Sequence, residues 1–180
     1  MQEKITPKGE LVHYFLNPLP NELRCPEGLA KNLDAILNFS LTSKELALTL
    51  FHAGRGAQNK VYGPDIPAAI SVIESRLQKW TDKAMRGNKN EYSPYTIAHM
   101  FHGFSLVALR PPERFTAFAL DLADKHIKEF NAEYMTFFLT SIATLGLPVS
   151  DKMLRGIATR TGEIKSALTA HQCHDTVWSL

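Results

Sequence analysis

Five segments of this 180-residue chain line up on one another, and that repetition constrains the fold more than any other feature. Written TPKGELVHYFLN, TSKELALTLFHA, YSPYTIAHMFHG, NAEYMTFFLTSI and TAHQCHDTVWSL, they place Phe15, Phe51, Phe101, Thr140 and Trp178 in one column, at intervals of 36, 50, 39 and 38 residues. The long interval contains two polar, glycine-bearing stretches, GRGAQNKVYG and DKAMRGNKNE, which read as loop insertions. Each segment also opens with a helix start signal. Thr42 with Glu45 and Thr169 with Gln172 form capping boxes, Thr6 and Ser93 stand before Pro7 and Pro94, and Asn131 is a strong N-cap.

Between these segments, here termed helix A, lies a second set, helix B: PEGLAKNLDAILNF, IPAAISVIESRLQKW, PPERFTAFALDLADKHIKEF and SDKMLRGIATRTGEIKSAL. Ile66, Ala69, Ile70, Ile73, Leu77 and Trp80 follow helical spacing, as do Phe115, Phe118, Ala119, Leu122, Ile127 and Phe130. No segment alternates as a strand does. One helical hairpin cannot bury both of its faces, so neighbours must stack. The expectation is an all-α protein, an α-solenoid of antiparallel hairpins with about four and a half repeats of ~38 residues. It forms a single domain over 1–180, with repeats at approximately 6–41, 42–91, 92–130, 131–168 and an incomplete 169–180. An irregular helical bundle is the competing arrangement.

A period of 38 or 39, helix A ends such as DTVWSL and HMFHGFSLVAL, and a helix B opened by RPPERF resemble the octotricopeptide repeat and its FAST-kinase-like and RAP-associated relatives. The resemblance covers 92–180 most closely and 6–80 more loosely; it departs at Thr140, where an aromatic is expected, and at Phe138, where a small polar residue is usual. It implies a non-catalytic RNA-binding protein of organellar RNA metabolism, or an RNA-stabilising subunit of a mitochondrial or chloroplast ribosome. The location it implies is mitochondrial, with the chloroplast as the alternative; the N-terminus MQEKITPKGE itself carries no visible targeting peptide. A protein-interaction scaffold within a large assembly, or a bacterial effector built on the same repeat, is the alternative function.

Binding residues of such a protein recur once per repeat. Positions 4, 8 and 11 of helix A share a face and contain Tyr95 and Tyr134, then Thr49, His99 and Phe138, then His52, His102 and Ser141. Thr49, His52, Tyr95, His99, His102, Tyr134 and Ser141 are the candidates for facing bases; Glu45 and Gln172 in the same columns are capping partners, and Phe138 reads as core. Phosphate contacts are expected from Arg55, Lys60, Lys83, Arg86, Lys89 and Arg110, with Lys79 beside them. With 20 Lys and Arg against 18 Asp and Glu the whole chain is nearly neutral, so any basic surface must be local.

The sequence also argues against other classes. The 44% apolar and 21% charged composition is that of a globular protein, and no apolar run approaches the ~18 residues of a membrane span. Cys25 and Cys173 make no disulfide framework. His99 with His102, and His171 with Cys173 and His174, lack the ligand number and spacing of a zinc site, so no metal or cofactor is expected. No phosphate loop or nucleophile motif is present, so no enzymatic activity is expected. The last helix A has no helix B behind it, so the expectation is that either the chain continues beyond Leu180 or another subunit of a ribonucleoprotein particle completes the stack at Cys173, Val177 and Leu180.

Overall fold

The computed structural model describes residues 24–179, so the first helix A with Phe15, and Leu180 at the far end, lie outside the described residues. Within them the fold is all helical, with no strand. The helices are α1 (Pro26–Ile36), α2 (Ser43–Gln58), α3 (Ile66–Glu74), α4 (Leu77–Arg86), α5 (Pro94–Leu106), α6 (Glu113–His126), α7 (Ala132–Thr144), α8 (Asp151–Ile164) and α9 (Ala170–Ser179).

They form two layers. In layer A, α2 packs along α5, α5 along α7 and α7 along α9; in layer B lie α1, which packs on α3, and α3 with α4, α6 and α8, which pack against layer A helices. The starts of the layer A helices are set as their sequences predict. Thr42 and Glu45 close a reciprocal box, Thr169 and Gln172 bond each other's backbone N–H in the same way, and Asn131 accepts from the N–H of Tyr134. Ser93 makes a further box with Thr96.

Their ends are equally alike. The N–H groups of Val61, Leu109 and Leu147 reach back to the carbonyls of Gly56, Phe104 and Ile142, and those of Lys60, Ala108 and Gly146 to Ala57, Ser105 and Ala143. These are Schellman motifs, and Lys60, Ala108 and Gly146 take the required positive φ of 58°, 53° and 58°. Before each next cap comes a 3-10 turn and one large apolar residue: Lys89–Glu91 then Tyr92, Ile127–Glu129 then Phe130, Lys165–Ala167 then Leu168.

The caps correct the sequence alignment by one residue. Helix α5 is capped by Ser93, as its Ser-Pro start signal predicts, one residue after the Tyr92 that heads its aligned segment. Counted from the caps, Phe101 corresponds to Leu50 and Leu139, all at 3% exposure or less, while His102 corresponds to Phe51 and Thr140, all partly buried. The aromatic column of the sequence therefore mixes two faces of the helix.

Each of the two expected loop insertions is α-helical over its first half. Helix α2 runs to Gln58 through Gly54 and Gly56, giving 16 residues where α5 and α7 have 13. These glycines serve close approach rather than a turn. A Cβ on Gly54 would sit 3.1 Å from the carbonyl oxygen of Gly103, one on Gly103 would sit 2.8 Å from Leu50 Cγ, and one on Gly56 would strike the Tyr62 ring at 2.6 Å. The single helix B expected over 66–80 breaks at Ser75 and Arg76, and α4 then continues to Arg86 through half of the second insertion. Ser75 Oγ donates to the Val72 carbonyl at the break, and Arg76 grips Asp34 of α1 with two bonds of 3.1 and 2.7 Å.

The core lies between the layers. Trp80 sits edge-on to Phe104 and Phe115 at 5.6 and 5.4 Å and donates its indole N–H to the Leu46 carbonyl at 3.0 Å. Phe138 meets Phe101 and Phe130 at 5.4 and 5.5 Å. Burying each such side chain contributes about 1.5–3 kcal/mol.

Candidate functional site

The face of layer A turned away from layer B carries a continuous ribbon of rings. Phe51 on α2 lies 5.0 Å from His99 and 5.5 Å from His102 on α5. His99 packs on Tyr95 at 4.1 Å, and Tyr95 meets Tyr134 of α7 edge-on at 5.6 Å. His102 stacks flat on Phe137 of α7 at 4.5 Å and an interplanar angle of 1°. His52 joins at the α2 end, 5.1 Å from Phe51, and Lys44 stands 5.5 Å over the Tyr95 ring.

Helical spacing produces this ribbon: the residues that fill it sit on the flank opposite the buried Leu46, Leu50, Ile97, Phe101, Met135 and Leu139. The imidazoles are held neutral near pH 7. Burial lowers all three, with Arg55 opposing charge on His52 and His102, and His102 falls to about 4. His99 resists this in part, because its Nδ1 bonds the Tyr95 carbonyl at 2.8 Å and Glu133 lies near. Neutral imidazoles offer one donor and one acceptor each alongside a flat face.

The seven base-facing candidates divide. Tyr95, His102, Tyr134 and His52 are partly buried members of the ribbon, and His99 belongs to it at 7% exposure. Thr49 and Ser141 are interior: Thr49 Oγ1 donates to the Glu45 carbonyl at 2.7 Å, and Ser141 Oγ to that of Phe137. Both hydroxyls bond their own helices, Ser141 Oγ also pairing with Ser105 Oγ of α5 at 3.3 Å, and both residues are buried. Phe51, Phe137 and Lys44 were missed, although counting from the N-caps would have found both phenylalanines.

The cations are scattered. Arg55 is exposed beside the ribbon, and Lys60 occupies the left-handed position ending α2. Arg110 donates to the Gly146 carbonyl at 3.3 Å. Lys83 and Arg86 belong to layer B, and Lys89, in the 3-10 turn before α5, stands 5.5 Å over Phe118 of α6. At the other end of layer A, a groove of about 480 Å³ between α7 and α9 continues from His102 and Phe137 to Glu133, His171 and Asp175. Among the described residues, Cys173 and Val177 of α9 are exposed, with Trp178 beside them at 64%.

Among the described residues no three His, Cys, Asp or Glu side chains converge as a metal site, and no helix is long and apolar enough to cross a membrane. No family model matches the chain, and no match to a curated protein was found.

Proposed function

We propose that this chain is a non-catalytic α-solenoid that binds single-stranded RNA on the outer face of layer A. The observation that carries the reading is the ribbon of Phe51, Tyr95, His99, His102, Tyr134 and Phe137 across three successive helices, flanked by Lys44 and Arg55. Unpaired bases stack on such rings whatever their sequence, each contributing ~1–3 kcal/mol, and neutral imidazoles add donors and acceptors for base edges. The recurrence of cap, Schellman end and 3-10 turn supports a stacked repeat of about 38 residues. With the octotricopeptide resemblance, this points to RNA metabolism in a mitochondrion or chloroplast, or to a ribosomal subunit there. The exposed Val177 and Trp178 favour a second reading, a scaffold that docks a partner subunit at α9.

The test is a titration of single-stranded RNA against the wild type and Tyr95→Ala. Tyr95 packs at the surface of the ribbon, so its loss lowers affinity roughly 5- to 100-fold with little change in melting temperature. Equal affinity in the two proteins, or no affinity at 50 mM salt, overturns the reading.

A further inference from the structure

A second surface stands apart from the ribbon. Helix α4 turns Leu77, Trp80, Thr81 and Ala84 inward, all buried, so Lys79, Lys83 and Arg86 fall on its other side at intervals of four and three residues. Opposite them run Leu37, Ser40 and Leu41, from the end of α1 into the connection to α2, and the two sides enclose a groove of about 650 Å³. Lys79 Nζ spans it to Asn38 Oδ1 at 2.7 Å. Among the described residues Asp82 is the one carboxylate in its lining, and it accepts from Gln78 at 2.9 Å. Nearby Arg76 is engaged by Asp34, and Lys89 by the Phe118 ring.

We infer that this groove is a separate polyanion site that takes the sugar–phosphate backbone of RNA. Three cations in a row along eight helical residues span ~10 Å, which suits repeated charges on a polymer rather than one phosphate on a peptide. Among the described residues no aromatic ring lines the groove, which suits a site that holds backbone rather than one that reads bases. The core around Trp80 stands between it and the ribbon, so the RNA engages the two layers with different segments. The identity of the polymer rests on the RNA reading above; the anion site does not.

The experiment measures binding of inorganic polyphosphate, which has no bases, and of polyuridylate to three proteins: wild type, Lys79→Gln/Lys83→Gln/Arg86→Gln, and Tyr95→Ala. The Gln substitutions keep the side-chain stems, and matched melting curves confirm folding. The triple variant is expected to lose at least tenfold in polyphosphate affinity and to flatten the slope of log K against log salt for polyuridylate by about 2, from ~0.7 per phosphate. Tyr95→Ala is expected to bind polyphosphate as the wild type does. A triple variant that binds polyphosphate undiminished overturns the site, and a singly phosphorylated peptide that competes at equal phosphate concentration overturns the polymer assignment. Polyphosphate binding through these cations without polyuridylate binding upholds the anion site and overturns the RNA reading instead.

Discussion

His102 shows how one residue couples the ribbon to the solvent. Burial, reinforced by His99 and Arg55, holds its pKa at about 4 against an ordinary 6.5, and His52 and His99 shift the same way. An unfolded chain takes up these protons near pH 6.5 while the folded one resists, so between pH 6.5 and 4 the unfolded state binds more protons. Stability therefore falls as pH drops through that window. Asp34 and Asp121 behave separately. Hydrogen bonds from Arg76 and Lys125 hold them below 3.8, so their contributions persist until the pH falls further. Melting curves should show a falling Tm from pH 7 to 4.5 and a shallower fall in His102→Gln; identical slopes would contradict the burial argument. The residue types of this cluster were legible in the sequence. Their pKa values were not, because desolvation depends on neighbours from α2 and α7.

At the level of helices, two glycines of the same residue type have opposite consequences. A Cβ on Gly103 meets Leu50 Cγ at 2.8 Å and the Phe51 backbone nitrogen at 3.0 Å, where α5 crosses α2. A Cβ on Gly162 in α8 meets nothing within 4 Å. Gly103→Ala should destabilise by about 1–3 kcal/mol through overpacking. Gly162→Ala should stabilise by about 0.4–1 kcal/mol, because alanine restricts the unfolded chain at no steric cost. Urea titrations of both variants check the pair. Helix starts were readable because a cap and its partner are three residues apart in sequence. The extent of α2 and the break before α4 were not: Gly54 and Gly56 resemble loop residues until α5 and Tyr62 are beside them, and Arg76 is held by an aspartate 42 residues away.

Across the whole molecule, α9 is set apart by what covers it. Counted from the caps, Val177 stands where Leu50, Phe101 and Leu139 stand, yet it is 73% exposed while they are at 3% or less. Val177→Lys should change stability by less than about 0.5 kcal/mol, whereas Leu139→Lys at the same helical position buries an unpaired charge and should prevent folding. Thermal melts of the two variants distinguish a surface position from a core one. The sequence by itself determined that the described residues are helical and where the described layer A helices begin, because caps and periodicity act over three to seven residues. Only the tertiary structure decided that Thr49 and Ser141 turn inward, and that Lys79, Lys83 and Arg86 share a groove remote from the rings. The physical reason is range: a helix chooses its own ends locally, but its rotation against its neighbours is chosen by side chains that arrive from 30 to 50 positions away, as in the 48-residue reach from Ser43 to the Glu91 carbonyl and the 36-residue pairing of Ser105 with Ser141.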